Sequence, residues 1–174
     1  MKSNKFKIKL VAALVFGTVI LSHAQNKDWK AMEPYLGFWE SEMKKGRNGK
    51  EFYFTYDLKY FDEAKTIVKM VITQKFKEGN DNLLWEGYKG WDPIEKEVYY
   101  YGFSPMGRIG IGKGFIRDGK YFWEYYGASV DGNKVDIIDE FTPVENGVFT
   151  SITKLKMEGQ DWRKINEDTW TKKK

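Results

Sequence analysis

Carboxylates set among apolar residues are the first candidates for chemistry in this chain. Asp139 and Glu140 adjoin in Ile137-Ile138-Asp139-Glu140-Phe141, whose β-branched and aromatic residues favour a strand. Neighbours along a strand point to opposite faces, so at least one of the two carboxylates faces inward, where a charge is costly unless paired. Glu86 and Glu124 stand among aromatics in the same way. Two carboxyl groups about 5 to 10 Å apart across a groove would permit glycosidic-bond hydrolysis. Spacing in sequence sets no such distance, and solvated or ion-paired carboxylates are the commoner outcome.

Most other catalysts are missing. His23 is the only histidine, and there is no cysteine. His23 falls in an N-terminal segment read below as removed. What remains cannot run a Ser-His-Asp or Cys-His relay, offer imidazole or thiolate to zinc or haem iron, or form a disulfide. Ser104 lies in Gly-x-Ser-x-x-Gly rather than a nucleophile elbow, and no histidine is left to activate it. No Asp/Asn loop has calcium-hand spacing. Gly110, Gly112 and Gly114 alternate in Arg108-Ile109-Gly110-Ile111-Gly112-Lys113-Gly114-Phe115, which is no phosphate loop, since neither a helix nor a Lys-Ser/Thr pair follows. They leave one strand face bare, which permits bending, close packing of neighbouring aromatics, or approach of a ligand to the backbone.

Those aromatics crowd the stretch from Trp85 to Tyr126. Tyr99, Tyr101 and Phe103 share one face of a strand, as do Tyr121, Trp123 and Tyr125, so adjacent strands would stack them into cross-strand ladders. Such ladders serve either as packing or as the wall of a pocket in which tyrosine hydroxyls orient a flat or amphipathic ligand. On the second reading the ligand-binding residues are Trp85, Tyr99, Tyr101, Arg108, Trp123, Tyr125 and Asp139, with Arg108 and Asp139 as a charged pair for orientation. Tyr100, Tyr126 and Glu140 are the mirror set, and the pattern leaves both parities open.

Ten alternating segments must position these residues: 36–44, 50–60, 66–76, 83–91, 97–104, 108–117, 120–128, 134–142, 148–156 and 161–171. Turn residues separate them, among them Asp92-Pro93, Asp118-Gly119, Asp131-Gly132-Asn133 and Glu145-Asn146-Gly147. Asp118-Gly119 is the sharpest hairpin signal. Residues 26–35 suggest the one helix, capped by Asp28, with Trp29, Met32 and Tyr35 on one face. Ten up-and-down strands are better satisfied by closing than by leaving two long edges. The expected fold is therefore all-β, a single antiparallel up-and-down barrel of about ten strands with the helix capping one end. Its interior is the first place to look for function.

Lys2, Lys5, Lys7 and Lys9 precede an apolar run from Leu10 to Leu21 and the small-x-small site Ser22-His23-Ala24. This is the pattern of a secretory signal peptide over residues 1–24, leaving 25–174 as one domain. The run is too short for a membrane span of roughly 20 residues. Removing those four lysines from 29 basic residues leaves 25, against 25 acidic ones, so the excess that nucleic-acid binding needs disappears. The chain should be exported to a periplasm or the medium, with no stable membrane insertion and no nucleic-acid partner. Composition assigns no oligomeric state.

The Gly-x-Trp element in Leu36-Gly37-Phe38-Trp39-Glu40 resembles the start of lipocalin-like (calycin) barrels. Gly90-Trp91-Asp92-Pro93, then Tyr101-Gly102-Phe103-Ser104-Pro105-Met106-Gly107, and the closing Trp170-Thr171-Lys172-Lys173, resemble a family of uncharacterised lipocalin-like barrels in bacteria. The architecture is also similar to nitrobindin-like haem barrels and fatty-acid-binding proteins. A nitrobindin-like site needs histidine on the iron, so although tyrosine can ligate haem, no cofactor is expected. The fatty-acid-binding likeness would have Arg108, Arg117 or Arg163 meet a carboxylate. The lipocalin likeness implies that Trp39 packs beside Lys172 of the last strand. The expected role is non-catalytic holding of a small hydrophobic or amphipathic molecule. A histidine-free hydrolase or isomerase using carboxylate and tyrosine, and an envelope interaction protein with a filled barrel, are the alternatives.

Overall fold

Turn chemistry dictates where the chain reverses. In a computed structural model that describes residues 27–128 and 132–174, Asp118 and Gly119 both take positive φ, 52° and 74°. That is the conformation a two-residue hairpin needs to match strand twist. Asn146 and Gly147 do the same. The Asp92 carboxylate accepts the backbone N–H groups of Ile94 and Glu95, fixing the turn that carries Pro93.

Among the described residues eleven strands result: β1 (Gly37–Ser41), β2 (Lys44–Lys45), β3 (Glu51–Tyr60), β4 (Ile67–Phe76), β5 (Asn82–Asp92), β6 (Glu97–Ser104), β7 (Arg108–Arg117), β8 (Lys120–Ala128), β9 (Lys134–Phe141), β10 (Val148–Met157) and β11 (Arg163–Lys173). All neighbours are antiparallel, and β1 pairs with both β11 and β3. Ten strands therefore form a closed barrel, and β2 is an extra strand paired only with β3. The single strand expected over 36–44 is interrupted after Ser41. There the Ser41 hydroxyl accepts the Phe54 backbone N–H at 2.8 Å and donates to the Glu42 carbonyl at 3.1 Å.

The expected helix over 26–35 is shorter. Among its described residues only α1 (Lys27–Lys30) is α-helical, followed by a 3-10 turn at Glu33–Tyr35. Pro34 is the reason, since it has no N–H to return to the preceding turn. Asp28 lies in the first turn of α1 rather than ahead of it. The segment still plugs one end of the barrel: Trp29, Met32 and Tyr35 are buried among Trp39, Leu58, Val68, Val98, Phe141 and Phe149. Polar ends of the plug are tied down as well. The Trp39 indole N–H donates to the Tyr35 carbonyl at 2.7 Å, and the Tyr35 hydroxyl donates to the Thr142 carbonyl at 2.8 Å. The signal-peptide segment and His23 lie outside the described residues.

The bare face of β7 turns inward. A methyl at Gly112 would overlap the Glu124 carbonyl oxygen and Tyr125 Cα, both backbone atoms. Gly112→Ala is therefore expected to part β7 from β8 and to destabilise the protein by about 3 kcal/mol or more, as strained overpacking does. At Gly110 the nearest atom is the Trp85 ring at 2.9 Å, a side chain able to yield. Urea titration of both variants checks the ranking, and equal effects would refute it.

Candidate functional site

Inward-facing residues of β3 to β11 surround a cavity of about 910 Å³. It opens at the end opposite the plug, where Met106, Lys134, Glu158 and Arg163 stand at its mouth. Phe54, Met70, Ile72, Trp85, Ile137 and Leu155 supply apolar wall. Gly87, Gly102, Gly110 and Gly127 lie side by side across β5 to β8. Without side chains there, Trp85 can lie flat: a methyl at Gly102 would come within 2.5 Å of its Nε1.

At the depth where the apolar wall meets the plug sit ionisable groups. Lys89 is 2% exposed. Its ammonium donates to the Tyr56 hydroxyl at 2.8 Å and stands 3.9 Å from the centre of the Trp123 ring. Asp139 accepts from the Thr153 hydroxyl at 2.6 Å and from the Tyr125 hydroxyl at 3.1 Å. Strand register explains that meeting, because Asp139 lies opposite both Trp123 and Thr153. Burial pulls Lys89 down to about 7, opposed by the charge of Asp139. Burial likewise raises Asp139, opposed first by the Thr153 and Tyr125 hydrogen bonds and then by Lys89. Tyr56, Tyr100 and Tyr125 are all raised, chiefly by burial and next by the Asp139 charge. These hydroxyls remain protonated donors at any ordinary pH.

A second polar group lies between β10, β11 and β2. Asp168, 3% exposed, pairs with Lys44 and accepts from Asn166, while the Trp170 indole donates to the Ser151 hydroxyl at 2.8 Å. Among the described residues no group of three His, Cys, Asp or Glu side chains is placed to hold a metal.

Of the residues singled out from sequence, Trp85, Trp123, Tyr125, Asp139 and Arg108 line the cavity. Tyr99 and Tyr101 do not. Tyr99 faces outward, donating to Glu97 at 2.9 Å beside Lys113, and Tyr101 is 52% exposed. In β6 it is Val98, Tyr100, Gly102 and Ser104 that are buried. Tyr100 is therefore the member of the mirror set that enters, whereas Tyr126 lies outside under Lys134 and Glu140 pairs with Lys120 and Lys154. Glu86 pairs with Lys69 on the outer side. Arg108 is exposed at the mouth and does not partner Asp139, whose contacts are Thr153 and Tyr125. The interior cation is Lys89. Its signal was alternation in β5, where Lys89 is in phase with Trp85, Gly87 and Trp91 and out of phase with Glu86 and Tyr88.

Fold and site together define a closed antiparallel β-barrel with a plugged end, an open end and a polar floor. No protein-family model and no curated protein matches this chain.

Proposed function

We propose that this is an exported binding protein that holds one small hydrophobic or amphipathic molecule in its barrel. The cavity of about 910 Å³, within the size range of small-molecule sites, carries the reading. Its apolar walls would take the body of the ligand, and the groups at its floor would orient one polar end. The Trp85 indole N–H is buried without a protein acceptor, so an acceptor oxygen on the ligand would satisfy it. Kinship with lipocalin-like bacterial barrels is part of the proposal. It is supported by Lys172, opposite Trp39 in register with its ammonium 5.1 Å from the ring. Export rests on the sequence of residues 1–24 alone, and the periplasm or the medium is the proposed compartment.

Native mass spectrometry of the protein purified from its own host is expected to show a stoichiometric small-molecule adduct. The stripped protein should bind Nile red at one saturable site, and Trp85→Ala should weaken that binding about tenfold, or 1.4 kcal/mol. A clean apo mass together with no saturable dye binding would overturn the proposal. A second reading has one observation in its favour. Tyr101, Phe103, Ile109 and Tyr126 are exposed on neighbouring strands, an apolar patch suited to an interaction surface.

A further inference from the structure

The floor of the cavity holds an amine in an unusual setting. Among the described residues lining the cavity, the amines are Lys89 and Lys134, and Lys134 is exposed at the mouth. Lys89 is packed on an aromatic face with a hydroxyl at 2.8 Å and has no carboxylate within ion-pairing distance among the ion pairs of the described residues. An ammonium has three protons to place. Tyr56 accepts one, Trp123 covers a second direction, and Lys89 also borders the cavity.

Building on the binding role proposed above, we propose that Lys89 captures an apolar aldehyde as an imine. Charge accounts for the choice of head group. Burial works against charge on both the Lys89 amine and the Asp139 carboxyl at this floor, so a neutral carbonyl adds no further charge to it. A carboxylate would set a second anion in the field of Asp139 at low dielectric. Desolvation also favours the uncharged, nucleophilic amine, with Lys89 brought down to about 7. In the reaction the nitrogen lone pair forms the C–N bond while the carbonyl π pair moves to oxygen, which takes a proton shed by nitrogen. The resulting carbinolamine loses hydroxyl together with the second nitrogen proton as water, leaving C=N. Nothing is oxidised or reduced, and the Tyr56 hydroxyl stands where it can relay the proton.

Decanal with cyanoborohydride is the test, because reduction fixes an imine as a decyl amine that peptide mass spectrometry can locate. Labelling is expected at Lys89 at least about tenfold faster than at exposed lysines, because the cavity holds the apolar aldehyde beside it and burial favours its free base. Decan-1-ol should protect Lys89 selectively. Lys89→Arg, which keeps the charge, and Lys89→Met should both lose the label. Labelling spread evenly over surface lysines, with decan-1-ol still binding, overturns the imine but leaves the carrier role standing. Decanoate binding that is lost in Lys89→Met, without decanal labelling, overturns it in favour of an anionic head group. If neither decanal nor decan-1-ol binds, the imine falls, and Nile red binding decides the carrier role separately.

Discussion

Lys89→Met is expected to flatten a rise in stability that the parent protein shows as pH increases from about 7 towards 10. An unfolded lysine titrates near 10.5, and the folded Lys89 near 7. Between these values the unfolded chain holds one proton more than the native one, so unfolding free energy climbs by up to about 1.4 kcal/mol per pH unit. Below about 7 both forms are charged, and the penalty of a buried ammonium is present in full. The groups facing Lys89 set the limits of the window. Tyr56, Tyr100 and Tyr125 are raised by burial, so stability falls again once unfolded tyrosines ionise above 10.0. Asp139, also raised, imposes its own penalty as pH rises from 3.8. Methionine leaves the Tyr56 hydroxyl without its partner, at about 1–3 kcal/mol, so Lys89→Met/Tyr56→Phe is the companion variant. Urea unfolding at several pH values reads the slope. An unchanged slope in Lys89→Met would show that the parent lysine titrates as if in water.

Trp39→Ala should destabilise the barrel by about 3–5 kcal/mol, the range for emptying a buried tryptophan site. That is a large part of the 5–15 kcal/mol by which such domains are typically stable. Trp39 is 0% exposed, meets Phe149 edge-on at 4.8 Å and holds the Tyr35 carbonyl of the plug. Its loss opens a hole and frees a polar group in one step. Lys172→Ala removes only the cation above the ring and should cost under about 1 kcal/mol. Chemical denaturation ranks the two, and comparable losses would mean that the plug is not anchored at Trp39.

Alternation and turn residues make most of the barrel legible in the sequence. Strands at 97–104, 108–117 and 120–128 match β6, β7 and β8 end for end, because Pro93, Gly107 and Asp118-Gly119 punctuate the chain sharply there. Parity was the part alternation alone could not supply. Tyr99, Tyr100 and Tyr101 are chemically alike, and only register decides among them: Tyr100 lies opposite Lys89 and Gly112, while Tyr99 lies opposite Gly90 and Lys113. Lys89 carries little signal in the sequence because lysine almost always marks solvent. Its partner Tyr56 is distant in sequence and reaches it from β3 across the interior. Asp139 was visible as a carboxylate in an apolar strand, but its hydroxyl partner Thr153 lies on the next strand and looked ordinary.

The seam between β1 and β11 has a bearing on the order of events during synthesis. Trp39 faces Lys172 across that seam, so the contact joins the two ends of the described chain. Hairpins from β3 to β10 need only neighbours and can form as they emerge, whereas closing so long a loop is slow and entropically opposed. A chain delivered N terminus first, from a ribosome or through a pore, has β1 waiting with one edge unpaired until Trp170 to Lys173 arrive. Until then there is a curved sheet with a greasy concave face and nothing enclosed by it. The enclosed cavity of about 910 Å³ exists only once the final strand is in place.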